Sequence, residues 1–195
     1  MRAGGIGCKS DFLGALLLAA ALFCLIPERG SAQILTAGQG FGGLKWGDTV
    51  EEALRIHPDL RFEGYRLVRE KEAPFQAYVR ERAANRIDGV RFDSLEYWFR
   101  GNRLLEIRAV MQSRIGPRTL VTQAERSYDV LAGRIRKAYG LPGTQTVKYV
   151  SQYLAVVKET TWAARGVNIR LKYNGADRGD VDRLTLEMEK TGGAP

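Results

Sequence analysis

Apolar positions along this chain fall into three patterns. Residues 12–26 form one short unbroken apolar run. Residues 49–58 and 117–139 repeat apolar side chains every three to four positions. Residues 93–111 and most of the stretch after 158 alternate apolar with polar residues one by one. The two periodic stretches predict helices. In the first, Thr49 is the expected N-cap, Glu52 completes a capping box, and Val50, Ala53, Leu54 and His57 share a stripe that ends before Pro58. In the second, Pro117 suits the first turn, Val121, Ala124, Tyr128, Leu131, Ile135 and Ala138 form the stripe, and Gly140 with Pro142 closes it.

The alternating stretches predict strands. Residues 62–69 read as one, and residues 74–87 as a strand or an irregular segment. The clearest is a hairpin over residues 93–111, where Leu95, Tyr97 and Phe99 alternate with Glu96, Trp98 and Arg100, and Leu105, Ile107, Ala109 and Met111 with Glu106, Arg108 and Val110. A two-residue Gly101-Asn102 turn sets Phe99 opposite Leu104 and Tyr97 opposite Glu106, a charge on the apolar face. A three-residue loop, Gly101-Asn102-Arg103, sets Phe99 opposite Leu105, Tyr97 opposite Ile107 and Glu96 opposite Arg108, and is expected for that reason. Trp98 then falls on the polar face. Residues 158–164, 167–173 and 183–189 read as further strands, with 145–150 a candidate for another. The expected fold class is α+β: an antiparallel sheet with two main helices packed on one face, in a repeated helix-then-strands layout.

The apolar run belongs to a different device. Arg2 and Lys9 precede it, Pro27-Glu28-Arg29 breaks it, and Gly30-Ser31-Ala32 precedes Gln33. A charged start, a short apolar core and small residues, in that order, predict an export signal over residues 1–32 with cleavage after Ala32. The run is shorter than the roughly 20 residues of a membrane span. A retained anchor or a lipid on Cys24 are the alternatives, but no stop-transfer pattern follows, and bulky Phe23 precedes Cys24. The expected organisation is a signal peptide (1–32), a flexible Gly-rich leader (33–43), a single domain (44–190) and a disordered tail (191–195), in the periplasm or outside the cell.

This organisation restricts the chemistry. Both cysteines, Cys8 and Cys24, lie in the signal, and His57 is the chain's single histidine. Disulfides, thiolate metal sites and cysteine nucleophiles are therefore not expected, and neither is a metal or cofactor. Gly38-Gln39-Gly40-Phe41-Gly42-Gly43 matches G-x-G-x-x-G but lacks the strand before it and the helix directly after it that a dinucleotide site needs. The loop from Asn174 to Asp182 holds three aspartates and an Arg178-Gly179-Asp180 tripeptide. Its spacing does not fit a calcium loop, and it reads as a turn. The formal charge of +8 favours anionic surfaces as partners. Nucleic acid is disfavoured because no recognition motif accompanies the charge.

The Trp46-Gly47-Asp48-Thr49-Val50-Glu51-Glu52 opening, the Tyr97-Trp98-Phe99 and Asn102-Arg103-Leu104 hairpin, and the Lys137-Ala138-Tyr139-Gly140-Leu141-Pro142 helix end resemble a broad set of small exported bacterial proteins that open with W-G-x-[ST]-x-E-E. Their architecture is similar to β-lactamase-inhibitory protein and the BamE-like lipoproteins. The resemblance implies fold and envelope compartment, and a tendency toward protein or envelope binding. The functional expectation is a non-enzymatic binding or interaction module of the bacterial envelope, with Trp98, Arg100 and Arg108 on an open sheet face as the binding residues. The alternatives are a small hydrolase using His57 or a carboxylate pair such as Asp88 and Asp93, and a polyanion binder.

Overall fold

The computed structural model describes residues 31–32, 40–67, 73–81, 85–114, 121–140, 143–150, 155–164, 166–175 and 181–192. The core of the expected export signal, residue 33 after the expected cleavage point, the helix start at Pro117 and the Arg178-Gly179-Asp180 tripeptide lie outside them.

Long alternating runs become long strands. β8 (Ser94–Arg100), β9 (Arg103–Arg114), β12 (Val167–Asn174) and β13 (Val181–Lys190) place alternate residues in the core, and β11 (Ala155–Ala164) buries Thr160 and Trp162. With β4 (Arg61–Arg66), β5 (Phe75–Glu81) and β10 (Thr144–Val150) they form one antiparallel sheet in the order β10-β11-β12-β13-β9-β8-β5-β4. Small pieces surround it. β1 (Ser31–Ala32) pairs in parallel with β6 (Arg86–Ile87), which also pairs with β7 (Val90–Arg91). β2 (Gly40–Phe41) and β3 (Leu44–Lys45) form a tight hairpin. Phe41 and Leu44 are each 2 % exposed and belong to the main core, so the glycine-rich lead is packed from Gly40 onward.

The expected two-helix α+β layout is overturned. The described residues are mostly strand, with one broad eight-stranded sheet and two helices, of which only the second lies across the sheet. α1 (Val50–Ile56) has seven residues, about 10 Å of helix, and packs beside β3. Thr49 and Glu52 form the expected capping box, but Pro58 leaves room for only two turns, too short to cover a sheet. α2 (Gln123–Tyr139) alone spans β9, β12 and β13, burying Ala124, Tyr128, Leu131 and Ile135.

α2 also begins later than the apolar spacing suggests. Its N-cap is Thr122, whose Oγ1 accepts from the Glu125 amide, and Val121 is exposed. Thr122-Gln123-Ala124-Glu125 is itself a T-x-x-E start signal. Gly140 ends the helix in the left-handed region at φ 68, as expected.

The central hairpin corrects a second expectation. Gly101 (φ 56) and Asn102 (φ 59) form a two-residue turn with both φ positive, the geometry that matches strand twist. Arg100 faces Arg103 and Phe99 faces Leu104. The register then shifts, and Trp98 faces Glu106, Tyr97 faces Ile107 and Glu96 faces Arg108. The bulge reconciles the tight turn with the buried face, so the expected pairing of residues 96 and 97 holds while the expected loop does not.

Candidate functional site

The sheet has two unlike faces. α2 covers one. The other carries Glu96, Trp98, Arg100, Glu106, Arg108, Arg170, Glu187 and Glu189, and there the natural twist of a wide sheet makes a concavity of about 530 Å³. Residues from seven successive strands, β10 through β5, line this groove.

The three residues expected at a binding face divide. Trp98 is 4 % exposed and forms a small satellite cluster with Phe75, Ala77 and Leu105. Its ring lies 5.6 Å from that of Phe75, and its indole N–H donates to Glu96 (3.0 Å). Arg108 stacks on it with the guanidinium 3.7 Å from the ring centroid. Trp98 is therefore a platform under the groove rather than a contact surface, because its strand neighbours and Arg108 close over it. Arg100 and Arg108 line the groove, and Arg100 stacks on Phe75 at 4.1 Å.

Across the groove floor runs a ladder of alternating charge. Glu96 faces Arg108, Arg108 faces Glu187, and Glu187 faces Arg170 in the strand register. Arg108 donates to Glu106 and lies 3.7 Å from Glu187. Arg170 reaches Glu187 at 3.2 Å and Glu159 at 3.4 Å. Opposite charges side by side on adjacent strands are mutually supportive. Burial pushes the Glu106 carboxyl above its ordinary value, Arg108 opposes that shift, and the like charges of Glu187 and Glu189 add to it. The lining residues include three arginines and three glutamates, so the groove is charge-balanced although the chain is basic. Thr144, Thr161 and Asn168 add neutral polar groups, and Trp162 lines one wall with an indole N–H that has no partner among the described residues.

The expected hydrolytic residues sit elsewhere. His57 is buried at the end of α1 beside the Tyr97 ring (5.9 Å), and its Nε2–H donates to the Gly42 carbonyl at 2.7 Å. Burial lowers its pKa, and nearby Arg80 lowers it further. Burial pushes the Tyr97 phenol up to about 12. Asp93 Oδ2 accepts from the Gln112 amide (2.7 Å), which ties β8 to β9, and Asp88 stands in the β6–β7 turn at φ 46. None of the three lines the groove. Among the described residues no cluster of three or more His, Cys, Asp or Glu is placed to hold a metal ion, and no helix is long and apolar enough to cross a membrane.

A buried polar cluster under α2 escaped the sequence reading. Asp182, 1 % exposed, accepts from Thr122 Oγ1 (2.7 Å) and from the Tyr173 hydroxyl (2.6 Å). Lys158 donates to Glu125 (2.8 Å), and Tyr128 and Thr160 share a 2.6 Å hydrogen bond. Burial and the Asp182 carboxylate raise the Tyr173 pKa. These contacts join the N-terminus of α2 to β11, β12 and β13, and every polar group named has a partner. The T-x-x-E signal at Thr122 and Glu125 could have located two members; the others come from the middle of α2 and from strands far apart in sequence.

No family model, curated protein or solved structure matches this chain.

Proposed function

We propose that this protein is an exported, non-enzymatic binding module of the bacterial envelope, whose helix-free groove receives a protein partner carrying charges of both signs. The observation that carries the reading is the groove itself: rigid guanidinium planes held on aromatic rings, interleaved with carboxylates, in a concavity large enough for several side chains. Stacking on Phe75 holds Arg100, and stacking with ion pairing holds Arg108, in place before any partner arrives, which lowers the ordering cost of binding. The charge balance disfavours a polyanion there, since an anionic polymer would meet as many glutamates as arginines. The engagement of His57 with Gly42 gives no support to histidine-based hydrolysis.

Arg170 offers the cleanest test because its side chain is 55 % exposed, so its replacement leaves the core intact. Crosslinking pull-downs from envelope extract should recover a partner with the wild-type chain and lose it with Arg170→Glu, while Tyr65→Ser on the opposite sheet edge retains it. Equal recovery with Arg170→Glu would remove the groove from consideration. Cosedimentation with anionic phospholipid vesicles should be weak. Strong cosedimentation that falls steeply with salt would support the polyanion reading instead.

A further inference from the structure

The two outer strands of the sheet are built differently. β4 carries Arg61, Glu63 and Arg66, and its pairing with β5 is interrupted by a register shift between Phe62 and Gly64. Charges and a bulge are standard ways to keep an edge from pairing with another chain. β10 has neither. All seven of its residues pair with β11 without a shift, it contains no proline, and Lys148 is its single charge. Its side chains from Thr144 to Tyr149 are exposed, with Val147 at 42 % and Tyr149 at 79 %, and no strand among the described residues pairs with its outer side.

The sequence of β10 is also compatible with itself. Antiparallel pairing of two copies about Val147 sets Val147 opposite Val147, Thr146 opposite Lys148 and Gln145 opposite Tyr149, so no like charges meet directly. In each chain Thr146 faces Glu159 on β11. Lys148 of the second copy therefore falls in the same row as Thr146 and Glu159, two strand spacings or about 10 Å from the glutamate backbone, within reach of the two side chains. The two-fold axis repeats this opposite-charge relation on the other side. The central pair, Val147 against Val147, is apolar, with Lys158 of each chain's β11 on its outer side, and each exposed tyrosine falls opposite the other chain's Gln145.

We infer that β10 is a self-association edge, through which two copies join their sheets antiparallel about Val147. The occupant is a second copy of this chain. The axis of such a pair is perpendicular to the sheet, so both grooves open on the same side. Thr144 belongs to both the edge and the groove lining, which places the two grooves next to the junction and makes the dimer bivalent toward a repeating partner.

Sedimentation velocity over a wide concentration range reads the association directly. The wild-type exported chain should form dimers reversibly. Val147→Lys and Val147→Glu each place like charges directly opposite one another and should weaken dimerisation about tenfold. An equimolar mixture of the two variants should recover it, a result that unfolding of either variant cannot produce. Val147→Thr, which keeps the branched strand-forming shape, should dimerise nearly as the wild type. A monomeric wild type at the highest concentration, or a mixture no more associated than its components, would overturn the inference. Neither result depends on what the groove binds.

Discussion

The two faces of the sheet are drawn from the same strands, yet they are stabilised in different ways. Under α2, Leu131, Ile135, Ile107, Leu171, Leu184 and Leu186 are fully enclosed, and the few polar groups admitted there are hydrogen-bonded to one another around Asp182. On the open face Trp98 is shielded by Arg108, and around it charges arranged in register are interspersed with a few neutral polar and apolar side chains. Apolar burial in a closed space is favourable at every position and indifferent to sign. A charge ladder at a half-open surface contributes little stability but presents a defined pattern to a partner. The first face holds the fold together, and the second is free to vary its chemistry without unfolding it.

Substitution of one enclosed residue on each face tests this division most strongly. Leu131→Ala should cost about 2–5 kcal/mol in urea unfolding, as for a leucine in a core that cannot collapse. Trp98→Ala should cost less than Leu131→Ala, below the about 3–5 kcal/mol of a tryptophan removed from a closed core, because Arg108 and Phe75 can settle into the space and water can enter from the groove. Equal losses would mean that the open face is a second core. Next in size, Asp182→Ala leaves the Thr122 and Tyr173 hydroxyls without their acceptor and should cost about 2–3 kcal/mol. Hydrogen exchange should accelerate first at the start of α2. A uniform acceleration would show that the cluster does not act locally.

The smallest effect concerns acid. His57 is held neutral and its pKa lies below its ordinary 6.5, so on acidification the unfolded chain takes up the proton first. Its contribution to stability is therefore complete above about pH 6.5 and declines as pH falls from there toward the lowered native value. In thermal melts between pH 7 and 5, His57→Gln should flatten that part of the decline while keeping a donor for the Gly42 carbonyl. An unchanged slope would assign the acid sensitivity to other groups.

Much of the local structure was legible in the chain. The Thr49–Glu52 box, the Gly140 stop and the alternation of β8, β9, β12 and β13 follow from caps and side-chain periods, which depend on near neighbours only. Expectations failed where distant partners decide. The hairpin loop was misjudged because a bulge at the far side of a two-residue turn satisfies both the turn geometry and the buried face. Of the candidate site, the position of Trp98, Arg100 and Arg108 on the helix-free face was readable from alternation. Whether Trp98 is covered depends on Phe75 from β5 and on the rotamer of Arg108, and period two is silent on both.

By itself the sequence determined the long alternating strands, the Thr49 and Gly140 caps, the register of the central hairpin below its turn and the scarcity of reactive side chains, because each rests on local periodicity or on composition. The tertiary structure alone decided that one helix rather than two covers the sheet, that an aspartate lies buried beneath that helix among hydroxyls, and that glutamates and arginines from β9, β12 and β13 line up into a balanced groove. Those outcomes depend on strand order and sheet twist. Both arise from the competition of the whole chain to bury its apolar face, and no window of neighbouring residues contains that information.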